Sequence, residues 1–305
     1  MLLINNPAGL QHEMPEGHPE RIARLETTFA VLSDVNADRQ EAQPATEADL
    51  LLGHPQDYID TIRDAMPTSG MVQLDADTSA SPGTYEAALK GVGGCLAAVD
   101  AVLTGPHKRA FVATRPPGHH AEKTRPMGFC LFGNIAIAAR HALERYGLDR
   151  VAVVDFDVHH GNGTQDILWD EPRALFISSH QMPLYPGSGA VHETGASDNI
   201  LNLPLPPGSD GHAMRSRYDS HVFPRLRDFA PQLILISAGF DAHERDPLAN
   251  LLWTDEDFAW VTRGLVAVAE EVCDGRIVST LEGGYDLEGL GGGLLAHVTE
   301  LEDTE

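Results

Sequence analysis

Seven side chains that can bind a metal or move a proton stand directly after short apolar runs. They are His119 and His120; Asp155, Asp157 and His159; Asp241; and Tyr285. Asp157 and His159 lie two positions apart, so in extended backbone they face the same way. With Asp241 they form an Asp-His-Asp set: three protein ligands for a catalytic zinc, with a fourth position left for water. Two carboxylates and one imidazole would also accept Fe²⁺ or Co²⁺. The tandem histidines would then flank that water as base and acid. Tyr285, following Gly283-Gly284, could polarise a carbonyl opposite them. Together these residues suit metal-assisted hydrolysis of an amide or ester.

Each residue also has a plainer explanation. Asp155 and Asp157 could cap a helix, although the glycines at 161 and 163 put a sharp turn there instead. Asp241 could pair with Arg245 on the surface, but it ends a strongly apolar run. Tyr285 alone would read as a loop anchor. His160, next to His159, must point elsewhere and is assigned to packing behind the site. His12 reads as a loop histidine. Arg21, early in a helix, is expected to point into the protein. Seven such residues at strand ends are hard to attribute to chance.

The elements that must position them follow from hydrophobic periodicity. Short apolar strands are expected at Leu2 to Asn5, Arg109 to Thr114, Val151 to Val154, Arg173 to His180, Ile200 to Leu205, Gln232 to Asp241 and Arg276 to Leu281. Helices are expected between them, from about Glu20, over Pro55 to Met66, Gly83 to Thr104, Ile135 to Tyr146, His212 to Phe229 and Phe258 to Cys273. Leu74 to Ser81 reads as a polar loop, and the acidic tail from Glu300 to Glu305 as a frayed end. Strands alternating with helices predict an α/β fold with a parallel sheet. Ligands of such sheets bind beyond the carboxyl ends of the strands, where the seven residues lie. No repeat or linker divides the chain, so residues 1–305 are expected to form a single domain.

The 305 residues include 21 Lys and Arg against 45 Asp and Glu, a formal net charge of −24. This argues against nucleic acid as a direct partner. Lysine occurs only at positions 90, 108 and 123. An acidic, lysine-poor surface fits both a high-salt habitat, where self-repulsion is screened, and ordinary acidic solubility. Cys95, Cys130 and Cys273 are too far apart and too few for a disulfide framework or a cysteine zinc site. No apolar run near twenty residues is evident, so no membrane span is expected. The N-terminus lacks a basic leader region. A cytoplasmic location is the expectation.

The chain resembles the histone deacetylase family, with its arginase-deacetylase fold. The matching stretches are His18-Pro-Glu-Arg21, Arg115-Pro-Pro-Gly-His-His120, Gly128-Phe-Cys130, Asp155 to Gly163, Tyr185-Pro-Gly-Ser-Gly189, Gly239-Phe-Asp-Ala-His243 with Asp246-Pro-Leu248, and Glu282-Gly-Gly-Tyr285. They occur in the family's order across nearly the whole chain. Asn162 and the Gly-Phe-Asp-Ala-His stretch look like the class II branch, which includes bacterial and archaeal amidohydrolases and acetylpolyamine deacetylases. The resemblance implies one three-layer domain with a mainly parallel sheet of about eight strands and helices on both faces.

It further implies a zinc-dependent deacetylase that removes acetyl or other short acyl groups from N-acyl-lysine. Asp157, His159 and Asp241 would hold Zn²⁺. His120 would take a proton from the attacking water, with His119 beside it as electrostatic and acid partner. Asp155 would hold His119, Asn162 would contact His120, and Tyr285 would stabilise the oxyanion. Phe129 and Tyr185 would wall a narrow tunnel, Gly128 would offer its carbonyl to the substrate amide, and Arg21 would line the cavity through which acetate leaves. K⁺ would sit behind the zinc, bound through Asp155, Asp157, His159, Ser178 and Ser179, with a second site near Leu168, Glu171 and Ala174.

Three departures matter. Ile22 replaces the usual proline of the first motif, and Tyr185 replaces the usual tunnel phenylalanine. Leu248 stands where some polyamine-selective relatives carry Glu, which leans the reading toward acyl-lysine. The alternative substrate is an acetylpolyamine or another small acetylated amine. An arginase-like two-manganese ureohydrolase lacks ligands here, because Ala242 and His243 follow Asp241. A non-catalytic acyl-lysine binding protein would be expected to lose a ligand or Tyr285, and none is lost. The sequence is also compatible with a homo-oligomer.

Overall fold

The computed structural model describes residues 1–302. Eight strands form one all-parallel sheet in the order β2-β1-β5-β10-β9-β6-β7-β8. They are β1 (Leu2–Asn5), β2 (Asp38–Glu41), β5 (Arg109–Ala113), β6 (Val151–Asp155), β7 (Ala174–Gln181), β8 (Ile200–Leu205), β9 (Ile234–Ala238) and β10 (Ile277–Leu281). The central strands are buried along their whole length, and mostly apolar, because both faces are covered. Successive residues point to opposite faces. Leu3, Phe111, Val154 and Ile236 thus join one core, with α1 (Ile22–Ser33), α7 (Gly211–Arg217), α8 (Phe223–Phe229), α9 (Asp255–Val272) and α10 (Leu287–Leu301). Leu2, Val112, Val153 and Leu235 join the other, with α3 (Gln56–Asp64), α4 (Thr84–Thr104), α5 (Asn134–Arg145) and α6 (Asn162–Leu168). The result is the expected three-layer domain.

Local rules were followed closely where they were strong. Asp286 caps α10, accepting from Gly289 N at 2.8 Å, and the Thr254–Asp257 capping box opens α9. Three expectations change. The polar stretch at 74–81 carries half of a small antiparallel hairpin, β3 (Val72–Gln73) with β4 (Ser79–Ala80). The helix expected over 212–229 is α7 and α8 joined by a π-helical turn, Tyr218–Val222. Strand β2, Asp-Arg-Gln-Glu, has no apolar residue and is exposed throughout. An edge strand of that kind leaves no period to read.

Helix α4 corrects the expectation about apolar runs. By length and composition it could cross a membrane, and it is the one such helix among the described residues. Its physical setting is that of a core helix. Val92, Cys95, Ala98 and Val99 are fully buried in protein, and Gly94 packs against Val112 of the sheet. The short α2 (Glu47–Leu50) is opened by a capping box between Thr46 and Asp49. Of the acidic tail, residues 300 and 301 end α10 in ordered helix, and 303–305 lie outside the described residues.

Candidate active site

Sheet order decides the site. The adjacent strands β5, β10, β9 and β6 release their chains at the same edge. Four loops distant in sequence therefore deliver His119 and His120, Tyr285, Asp241, and Asp155, Asp157 and His159 to one place. Asp157, His159 and Asp241 are buried, and one candidate donor atom from each lies within 4.8 Å of the others. His159 Nδ1 is 3.1 Å from Asp157 Oδ1 and 3.1 Å from Asp241 Oδ2. Among the described residues this is the metal-capable cluster.

The surroundings fit a cation. Burial, and then the charge of Asp157, push the Asp241 carboxyl up to about 7. Burial opposes a charged His159, but its hydrogen bonds to Asp157 and Asp241 raise it to about 10. Two carboxylates pressed together in a sealed site are relieved by a positive ion. Backbone glycines leave the room: a Cβ on Gly239 would lie 2.0 Å from Asp157 Oδ2, and one on Gly283 would lie 2.1 Å from Asp241 Oδ2. The remaining carboxylate lone pairs are held from behind, by Gly283 N to Asp157 Oδ2 at 2.8 Å and Val158 N to Asp241 Oδ1 at 2.9 Å.

The tandem histidines are split by their surroundings. His119 Nδ1 lies 3.0 Å from Asp155 Oδ2. Burial opposes its charge, but Asp157 and Asp155 hold it well above the ordinary histidine range. His120 is held well below that range by burial and by the neighbouring His119 and His159. Its Nδ1 is 2.7 Å from Asn162 Oδ1. Asn162 Nδ2 donates to Glu122 Oε1 at 2.7 Å, which fixes its oxygen toward the ring. His120 therefore carries its proton on Nδ1 and leaves Nε2 free to accept one. Burial lifts the Tyr285 hydroxyl well above its usual value despite Arg24, so it stays a donor.

A cavity of about 210 Å³ opens over these groups, lined by Asp77, His120, Gly128, Phe129, His159, Leu184, Tyr185, Leu248 and Tyr285. The Phe129 and Tyr285 rings meet edge to face at 5.9 Å, and Tyr185 meets His120 at 5.3 Å. Phe129 has φ 68°, a conformation costly for an aromatic residue. It is pinned there by Phe129 N donating to Thr78 Oγ1 at 3.0 Å and Gly128 N to Asp77 Oδ1 at 3.1 Å. Gly128, at φ 56°, has no room for a side chain against His120.

One site residue is corrected. Arg21 is exposed at the start of α1 and lines a different surface hollow with His18 and Met71. The inward arginine is Arg24, one helical turn on. It is sealed, lies 4.8 Å from the Tyr285 ring centroid and donates to Gly284 O at 2.6 Å. The helix begins at Ile22 rather than Glu20, which turns Arg21 outward and Arg24 toward the sheet. Without the residues it packs against, the two arginines are equivalent in sequence. Ser178 stands in register beside Asp155, but its hydroxyl is 2.9 Å from His180 Nδ1 and that of Ser179 is 2.8 Å from the Tyr218 hydroxyl.

Other residues were missed. Glu282 Oε2 accepts from Gly118 N at 2.7 Å and His119 N at 3.2 Å, which braces the histidine loop. Asp246 Oδ2 accepts from Tyr285 N at 2.7 Å, and its Oδ1 from Leu248 N at 3.0 Å. Both lie in the quoted motifs, which was the available signal. His160 packs as expected, against Ser188 and Gln165. His12 is no loose loop histidine: it is sealed, 2.7 Å from Thr84 Oγ1.

With this geometry in place, comparison with known proteins is informative. The description of the histone deacetylase domain matches residues 18–301. The chain is 41% identical over 298 residues to "Histone deacetylase 10, chloroplastic" of Oryza sativa, covering 90% of this chain and 67% of that one. It is 40% identical over 289 residues to a "Probable deacetylase" of Archaeoglobus fulgidus, covering 92% and 80%. It is 41% identical over 273 residues to a "Histone deacetylase-like amidohydrolase" of Pseudomonas aeruginosa, covering 88% and 71%. The solved HDA15 HD domain superposes with a TM-score of 0.92 at 30% identity, covering 99% of this chain and 90% of that one.

Proposed function

Because the chain belongs to the histone deacetylase family, and is a deacetylase-type hydrolase of amide bonds, we propose that it removes acetyl or other short acyl groups from N-acyl-lysine side chains with the help of Zn²⁺. Asp157, His159 and Asp241 would hold that ion. When bound, it supplies Lewis-acid activation of water and of the scissile carbonyl. The supporting observation is that His120, His159 and Tyr285 line one cavity with apolar walls, Phe129, Leu184, Tyr185 and Leu248, and that Asp157 and Asp241 lie buried against His159.

This chain's residues then have defined tasks. His120 Nε2 takes a proton from the attacking water, its ring oriented by Asn162. His119, held cationic against Asp155, supplies positive charge beside the developing tetrahedral centre and a proton for the departing amine. Tyr285 donates a hydrogen bond from its hydroxyl to the carbonyl oxygen as negative charge builds there. The Gly128 carbonyl receives the substrate amide N–H, and the aromatic walls exclude water from the alkyl chain. A K⁺ ion at the backbone carbonyls around Asp155 and Ser178 would support the metal loop from behind.

A second reading has one observation in its favour. Asp77 lines the same cavity and is the carboxylate available there to meet a distal ammonium, as in a small acetylated amine. Steady-state hydrolysis of an acetyl-lysine peptide and of N-acetylputrescine, run in parallel on zinc-loaded protein, separates the two. We expect the peptide to have the higher kcat/KM. A clear win for the polyamine assigns specificity to Asp77. Zinc binding without turnover of either would point to a binding protein.

A further inference from the structure

The second cation position implied by the family resemblance is the place where this chain departs from that resemblance. The backbone carbonyls of Leu168, at the end of α6, of Glu171 in the following turn and of Ala174, at the start of β7, converge on one point. That point is occupied by the chain itself. Asn199 Nδ2 donates to Leu168 O at 3.0 Å, Glu171 O at 3.2 Å and Ala174 O at 3.1 Å. Asn199 is 3% exposed. Three oxygens can only be met by the nitrogen end of the amide, so its orientation is fixed by chemistry.

Converging carbonyl dipoles are the usual home of a monovalent cation, whose hydration shell they replace. They leave negative potential at a buried point that something must satisfy. An ion does so at the cost of losing its water and its freedom in solution. A tethered amide brings two partial positive charges with no ion to desolvate. Its position is set by the chain: Asn199 O accepts from Phe176 N at 2.9 Å, so its backbone is locked to β7 one residue before β8. Both solutions cannot coexist, because the nitrogen stands within hydrogen-bond distance of all three oxygens.

We propose that the Asn199 side-chain amide replaces the second monovalent cation, so that this junction of α6, β7 and β8 is cation-free in the native protein. The junction matters to the site. Asn199 ends the 182–199 loop that carries the Tyr185 wall, and α6 begins with Asn162, the partner of His120. Removing the amide leaves three converging buried carbonyls short of one donor each, with Leu168 O and Glu171 O keeping only Glu171 N and Ala174 N at 3.0 Å, and reopens a cage suited to K⁺ or Rb⁺.

Two measurements test this. Crystals of the wild-type protein grown in RbCl should show no anomalous Rb⁺ peak between Leu168, Glu171 and Ala174. A peak there, with the Asn199 side chain turned away, overturns the proposal. Thermal melts of wild type and Asn199→Ala are then compared in KCl and in choline chloride at equal ionic strength. The variant should melt lower in choline and regain most of the difference in K⁺, beyond any K⁺ response common to both proteins. Equal K⁺ responses in the two proteins also overturn it. A variant that fails to fold leaves the wild-type crystal experiment decisive.

Discussion

Replacing Glu20 by Gln keeps the shape of a sealed side chain and removes its charge. Glu20 is fully buried between two buried arginines. Its Oε1 accepts from Arg24 Nη1 at 3.0 Å, its Oε2 accepts from Arg115 Nη2 at 2.7 Å, and Arg115 Nε donates as well. His12 Nε2 is 3.4 Å away. In Glu20→Gln both guanidiniums remain buried without that counter-charge, and removing one partner of a buried ion pair costs about 3–5 kcal/mol. At about 2.1 cal/mol/K per residue, 305 residues have an unfolding entropy of about 0.64 kcal/mol/K. The melting temperature should therefore fall by about 5–8 °C at neutral pH. Activity should fall with it, because Arg24 also supports the Gly284 carbonyl beneath Tyr285.

The pH dependence of that gap follows from the same site. Burial would raise the Glu20 carboxyl, but Arg115, with His12 close by, holds it well below its ordinary value of 4.5. A depressed carboxyl adds stability that is fully present above the unfolded value and is lost as pH falls through the folded value. The wild-type advantage should thus be flat above about pH 5 and shrink only in more acid solution. Calorimetric melts of both proteins from neutral to acid pH measure it. A shift within about 1 °C at neutral pH, or a gap that does not shrink in acid, refutes the assignment of Glu20 as the counter-ion of Arg24 and Arg115.

Tyr285→Phe should lower kcat by roughly 10²–10³, as for loss of one oxyanion donor, with metal content unchanged. Near-normal turnover would remove the role assigned to that hydroxyl. Asp241→Ala should bind no zinc after dialysis, read by elemental analysis, and full occupancy would take Asp241 out of the ligand set. Asp246→Asn swaps one of two accepting oxygens for a donor facing backbone N–H groups of Tyr285 or Leu248. It should lower activity by about 10-fold or more while the metal is retained. An unchanged kcat would show that Tyr285 needs no such support.

Much of this protein was readable before folding was considered. The apolar runs announce a buried parallel sheet because strands covered on both faces carry no polar alternation. The polar residues that interrupt them at Asp155, Asp157, His159 and Asp241 mark the carboxyl edge, where a parallel sheet has its ligand crevice. Local chemistry also assigned His160 to packing, since adjacent side chains cannot both face the ion.

Tertiary structure decided what depends on neighbours distant in sequence. Only the strand order sets β10 between β5 and β9, and so brings Tyr285 between the histidines and Asp241. Only packing against Gly284 and Glu20 selects Arg24 over Arg21, three residues away on a helix whose start moved by two. Strand β2, exposed along its length, exists through its pairing with β1 and through ties such as Arg39 to Leu32 O and Val35 O. The amide of Asn199 meets three carbonyls drawn from positions 25 to 31 residues earlier. The residues state which groups need partners, and the fold alone settles which partners reach them.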